Sequence, residues 1–269
     1  MTTLPMPCRR VGVALAGALL AACAAAPNKD DPFEPWNRAM YEVHTAVDDA
    51  VIKPVAQAYV AYVPELIRTG VSNFFGNIDD LFTGINNVLE GRGNQAGDDF
   101  GRVLLNTTMG MGGVFDLASM MGIPKDKKDF GITFGKWGIP QGPYLFVPLF
   151  GPTTVRDGTG TLVRYFIGPV GYIDNIPVRN TLYGIGYLDL RAQALSAESV
   201  LETAAIDRYR FLRNAYLQNR RFQVYEGKPP PEEDEDSGAP QTPPAQMQTP
   251  PAQPKTPSAQ QPTPAPPAK

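Results

Sequence analysis

Leu20-Ala21-Ala22-Cys23 is the stretch of this chain whose residue types and spacing point most directly to a reaction. A thiol closing a short apolar run, behind Arg9 and Arg10, is the pattern of a bacterial lipoprotein signal. It predicts that residues 1–22 are removed and that Cys23 becomes a lipidated N-terminus. The run Val11 to Leu20 is too short to span a bilayer as a helix. The alternative is an ordinary secretory peptide cut near Ala22, but a leucine three residues before a cysteine is a feature that such a peptide lacks. Acyl chains on Cys23 put every later amphipathic segment beside a membrane.

The remaining candidates for chemistry are incomplete. Gly70-Val71-Ser72-Asn73-Phe74 fails the nucleophile-elbow pattern at its last position. His44 is the single histidine, so a Ser-His-Asp triad has only one choice of base and a histidine-rich zinc site has none. It is expected at the surface or as a cap. Gly110 to Gly113 and Gly135-Lys136-Trp137 both lack the ending of a phosphate loop. Asp79-Asp80 and Asp98-Asp99 are adjacent pairs, and adjacent helical residues do not face one another as an acid–base dyad must. The chain lacks an enzyme's parts, and no metal or cofactor is expected.

The elements that carry these residues are predicted to be helical. Trp36, Met40, Val43, Val47 and Val51 share one helical face after Asp31-Pro32 and Pro35, and Lys53-Pro54 should end or kink that helix. From Pro64 to Leu89 a wide apolar stripe includes Ile67, Val71, Phe74, Phe75, Ile78, Phe82 and Ile85. Asn73, Asn77, Asp80, Asn87 and Glu90 lie mainly outside it. Burial in a core is the usual fate of such a stripe; beside a membrane, lipid is the other. A helix is expected over residues 96–108, with Asp98 and Asp99 in its first turn, and a short helical turn over 115–121. Residues 125–160 read as loop with short helical pieces. A last helix runs from about Glu198 to Phe222 with arginines toward its end, where the dipole favours cations.

Composition narrows the partners. The 24 basic residues, less the two of the signal, face 27 acids, which argues against nucleic acid. Cys8 lies in the signal and Cys23 would be acylated, leaving no disulfide. No later stretch is long and apolar enough to span a membrane; Ile139 to Phe150 and Leu162 to Ile173 suit interfacial or re-entrant segments, or a core. The expected organisation is a tether over 23–31, a folded body over 32–227, and a disordered tail over 228–269. That tail holds half of the 28 prolines and repeats TPPAQ.

The order of motifs resembles one family, the MlaA/VacJ outer-membrane lipoproteins. The opening Asp31-Pro32-Phe33-Glu34-Pro35-Trp36-Asn37-Arg38 carries the resemblance. So do Lys53-Pro54-Val55-Ala56, Gly70-Val71-Ser72-Asn73-Phe74-Phe75, and Arg102 through Gly113. Asp129-Phe130-Gly131, Gly142-Pro143-Tyr144-Leu145, Val147 to Pro152 and Val155-Arg156-Asp157 continue it, and Arg208-Tyr209 to Arg221 closes it. The resemblance covers residues 31 to about 226, and the tail is not part of it.

It implies an all-α fold, a ring of amphipathic helices lying in the membrane around a polar channel, joined by Gly/Pro-rich segments. It also implies removal of phospholipid from the outer leaflet and delivery to a periplasmic carrier of the MlaC type, often with a trimeric porin bound. Ala24 after the cysteine implies outer-membrane sorting, with the body at the periplasmic face. A porin-associated structural or adhesion lipoprotein without transport is the alternative. Candidate channel or gating residues are Gly110, Gly112 and Gly113, then Gly142, Pro143, Tyr144, Pro148, Gly151, Pro152, Arg156 and Asp157. Arg156-Asp157 either meets a phosphate or pairs locally. Phe74, Phe75 and Phe82 are candidates for the membrane-facing side.

Overall fold

The computed structural model describes residues 31–204 and 207–230. The signal, Cys23 and the tether before Asp31, and the tail beyond Pro230 lie outside the described residues. The body is mostly helical, as expected, and no described helix is long and apolar enough to cross a membrane.

Helix α1 (Glu34–Val47) does not end at Lys53-Pro54. It passes through a π-helical turn, Asp48–Ile52, into α2 (Lys53–Tyr62). Pro54 lacks an amide hydrogen, and placing it in the first turn of a re-registered helix removes the need for one. The turn also buries Asp48, which receives Arg191 Nε at 2.8 Å and Nη2 at 2.6 Å.

The most buried positions of the amphipathic helices are largely polar, while the apolar stripes are exposed or half-buried apart from Phe82. On α3 (Glu65–Leu89) the buried positions include Asn77, Asp80, Thr83, Asn86 and Asn87, whereas Leu66 is 75% exposed. On α4 (Gly93–Thr108) they are Ala96, Asp99, Arg102 and Asn106, with Leu104 67% exposed. Trp36, Val43 and Val47 of α1 and Val51 of the π-helical turn are exposed as well. Phe82 departs from its expected membrane-facing place: it is buried, edge-on to Phe130 with centroids 6.4 Å apart, and the Arg164 guanidinium lies 4.9 Å from its ring centre. Phe74 and Phe75 are half-buried, and Phe75 packs where Gly186 carries no side chain.

Polar pairs join the inward faces of α3 and α4. Asn77 Nδ2 donates to Thr107 Oγ1 at 2.9 Å, Arg102 Nε to Asp80 Oδ2 at 2.9 Å, and Asn87 Nδ2 to Asp99 Oδ2 at 2.7 Å. Gly84 lets the helices close, since a Cβ there would meet the Phe100 ring at 2.9 Å. A short helix α5 (Leu117–Met120) is capped by Asp116, whose side chain accepts from the Ser119 amide.

Residues 125–160, expected as loop with short helical pieces, hold such pieces and a hairpin as well. Helix α6 (Phe130–Lys136) starts at the Asp129 cap. Strands β1 (Tyr144–Val147) and β2 (Gly151–Thr154) pair antiparallel, with Tyr144 opposite Thr154 and Val147 opposite Gly151. This hairpin is the exception to an all-α description. Helix α7 (Val155–Ile167) follows directly. It crosses α6 where Gly131 meets Gly160; a Cβ on Gly160 would lie 2.5 Å from the Gly131 nitrogen. A 3-10 turn, Pro169–Tyr172, leads to α8 (Ile176–Ala204) and then α9 (Arg208–Val224). The expected single helix from Glu198 is thus parts of two, and its Ile206 lies outside the described residues. Asp189 of α8 is buried and accepts from Ser72 Oγ at 2.9 Å and Gln193 Nε2 at 2.8 Å, tying α8 to α3.

Candidate functional site

The hairpin gathers most of the candidate channel residues on a polar base. Tyr144 and Phe146 point inward against Tyr209, with Tyr41, Leu212 and Tyr216 around them. Asn37 of α1 is fully buried and grips the strand: its Nδ2 donates to the Tyr144 carbonyl at 3.1 Å, and its Oδ1 accepts from the Phe146 amide at 2.9 Å. Asp31 accepts from Asn37 Nδ2 at 2.8 Å, from Arg213 Nη1 at 3.3 Å, and from the Tyr209 hydroxyl. Burial, reinforced by Asp31, pushes the Tyr209 phenol up, so that it stays a donor.

At the hairpin's tip Leu149 and Gly151 hold positive φ, 69° and 84°. The Leu149 amide donates to His44 Nδ1 at 3.1 Å. Burial lowers the His44 pKa, with Asp48 opposing and Arg191 adding to the shift, and the neutral ring is the form that can accept this bond. His44 thus supports a turn.

Asp157 is the node beneath the hairpin. It accepts from Arg156 Nε at 2.9 Å, Arg220 Nε at 2.9 Å and the Tyr216 hydroxyl at 2.8 Å. Arg220 also forks onto Asp129 at 2.6 and 2.8 Å, joining α6, α7 and α9. Burial pushes the Asp157 carboxyl up, but the Arg220 guanidinium, with Arg156 and Tyr216, holds it below the usual carboxylate range. A Cβ on Gly131 would meet both Arg220 Nη2 and Asp157 Oδ1 at 2.6 Å, so the node requires glycine there. Arg156-Asp157 therefore pairs locally, yet Arg156 Nη2 is buried without a hydrogen-bond partner among the described residues.

Gly142 and Pro143 thus lie just before β1, Tyr144, Pro148, Gly151 and Pro152 on the hairpin, and Arg156 and Asp157 at the start of α7. Gly110, Gly112 and Gly113 stand elsewhere, in the turn between α4 and α5. A Cβ on Gly113 (φ +95°) would meet the Asn77 side chain at 2.7 Å, and one on Gly110 the Phe115 carbonyl oxygen at 2.3 Å. That turn lies against α3, and the methionines around it (Met109, Met111, Met120 and Met121) are exposed.

Sequence reasoning missed the Asn37 grip and the Arg102 network. Arg102, 0% exposed, donates to Asp80, Asp116, Ser119 Oγ and the Ile123 carbonyl. A signal was present: Asp99, Arg102 and Asn106 recur at helical spacing. Asp48, Asp49 and Glu198 come close enough together to hold a cation, but they are engaged by Lys53 and Arg191.

Comparison with known proteins agrees with this architecture. The model of the MlaA lipoprotein family matches residues 29–223. The Escherichia coli (strain K12) protein named intermembrane phospholipid transport system lipoprotein MlaA is 32% identical over 244 residues, covering 88% of this chain and 96% of its own. The Haemophilus influenzae protein of the same name is 32% identical over 204 residues, 74% of this chain and 81% of its own. A solved structure described as the structural basis for maintenance of bacterial outer membrane lipid asymmetry superposes with a TM-score of 0.65 at 31% identity, over 72% of this chain and 98% of that one. A family match over most of the folded body and relatives of this similarity settle the classification: the chain belongs to the MlaA lipoprotein family.

Proposed function

We propose that this protein takes mislocalised phospholipids from the outer leaflet of the outer membrane and passes them to a periplasmic carrier of the MlaC type, preserving lipid asymmetry. In this reading it is anchored through Cys23 at the periplasmic face, its apolar helix faces lie in the inner leaflet, and a trimeric porin is its membrane partner. It acts without catalysis.

One observation carries the proposal: the body is built inside out. Among the described residues 18 buried side chains are polar or charged and 10 are hydrophobic, while α1, α3, α4 and α7 turn large apolar residues outward. Water would not stabilise that arrangement, whereas a bilayer does. Lipid also explains the polar zip between α3 and α4, because apolar faces gain little by leaving hydrocarbon, and helices there associate through small residues and hydrogen bonds. Helices that line a polar interior offer a headgroup a route that avoids bare hydrocarbon.

The test is outer-leaflet phospholipid exposure in a deletion strain. Restoring the full chain should return exposure to its wild-type level, and Cys23→Ala should fail to do so. Exposure that is unchanged by deletion would refute transport and leave the structural or adhesion role.

A further inference from the structure

A pocket of 270 Å³ opens between the end of α6, the loop before β1, the start of α7 and the C-terminal turn of α9. Arg156 and Arg221 line it together with Gln141, and no carboxylate stands among its described lining residues; Arg221 Nη2 also donates to the Pro230 carbonyl at 2.6 Å. Arg156 is 7% exposed; its Nε is committed to Asp157, and its Nη2 has no hydrogen-bond partner among the described residues. A buried guanidinium nitrogen left unpaired is costly, and an anion is the ligand that relieves it. The floor is glycine: a Cβ on Gly135 would lie 2.9 Å from Arg156 Nη1 and 2.8 Å from Val224. Among the described residues, the acids adjoining Arg156 and Tyr225 in sequence are already engaged. Asp157 is shared with Arg220 and Tyr216, and Glu226 meets Arg92, Lys128 and Lys136.

Most of the remaining described side chains of the lining are apolar. Ile139, Pro140 and Val224 stand beside the two arginines, with Tyr225. Cations set in an apolar wall suit the phosphate of an amphiphile. The volume lies at the lower edge of small-molecule sites, enough for a headgroup and too little for acyl chains.

We propose that this pocket is a phosphate-binding site, in which Arg156 and Arg221 hold a phosphate monoanion or phosphodiester with Gln141 as a further donor. The assignment rests on the phospholipid-handling reading and gives it a docking point for the headgroup.

Titration calorimetry on the full chain in nonionic detergent tests it with three probes: inorganic phosphate, dihexanoylphosphatidylglycerol and dihexanoylglycerol. The two phosphates should bind and compete, and the phosphate-free lipid should not. Arg156→Gln and Arg221→Gln should each weaken phosphate binding by about tenfold or more, the loss of one charge-assisted bond. Arg221→Gln keeps the test valid if Arg156→Gln misfolds. Binding of phosphate and not of the lipid assigns the site to the free anion. No binding of either, or binding unchanged in both variants, overturns the proposal. Complementation separates the two readings: a wild-type chain that restores asymmetry while its pocket binds no phosphate sinks this inference alone.

Discussion

Arg102→Met should destabilise the body by about 4 kcal/mol. The guanidinium makes five hydrogen bonds: to Asp80 at 2.9 Å, to Ser119 Oγ at 3.1 Å, to the Ile123 carbonyl at 2.9 Å, and twice to Asp116 at 3.0 Å. Methionine retains the packing volume and removes all five. Asp116 keeps Ser119 and Asn106 and remains ionised; burial raises its pKa, but those bonds together with Arg102 bring it down to about 2. Asp80 fares worse. It is 1% exposed, and its remaining cation is Lys125, 3.5 Å away. Stranding one member of a buried ion pair costs about 3–5 kcal/mol, which sets the estimate. Urea denaturation in mild detergent, followed by circular dichroism, measures it. Adding Asp80→Asn should recover about 1–3 kcal/mol, because the stranded charge is gone. A loss under about 1 kcal/mol for the single variant, or no recovery in the double, would refute the view that this network holds α3 to α4.

Asp99 gives a pH prediction of opposite sense to an ordinary ion-paired acid. Burial raises its pKa from 3.8 to about 6, against the Asn87 hydrogen bond and with Asp126 and Asp80 adding to the rise. The folded state therefore holds the proton more tightly, and stability falls as pH rises from 3.8 to about 6. Asp99→Asn should raise the melting temperature at pH 7 and leave it nearly unchanged at pH 4; an equal change at both pH values would count against a buried titrating carboxyl. His44 should loosen the hairpin tip in acid. Its depressed pKa means that the neutral, accepting ring is lost as pH falls below 6.5, so Leu149 amide exchange should quicken relative to that of Phe146. Gly160→Ala should cost about 1–3 kcal/mol, because its methyl would meet the Gly131 backbone; thermal melts in detergent would read it, and a neutral result would mean that α6 and α7 can part freely.

Helices with segregated faces were legible in the sequence, but which face turns inward was not. The periodicity of α3 and α4 is the same whether the surroundings are water or lipid, and only the surroundings decide whether Asn87 or Leu104 is buried. Helix α8 escaped notice because Pro177, Gly184 and Gly186 interrupt a segment whose polar and apolar residues are poorly segregated. The β hairpin hid behind its own turn signals, Gly142, Pro148 and Gly151, since four residues per strand give little alternation. Arg156 and Asp157 stood out as a charged pair, but their long-range partners Arg220 and Tyr216 arrive from more than fifty residues away. No local pattern announces such a meeting.

The grip of Asn37 on β1 also fixes how far the hairpin can travel. Asp31 is bonded to Asn37, and Asn37 to both Tyr144 and Phe146, so the start of the body and the inner strand move together. Seven residues separate Cys23 from Asp31, and the eight steps along the chain reach about 29 Å at full stretch. A hydrocarbon core is about 30 Å thick. A lipid on Cys23 would therefore be a leash scarcely as long as the bilayer is deep, and inserting residues before Asp31 would lengthen it while leaving the Asp31 and Asn37 contacts in place.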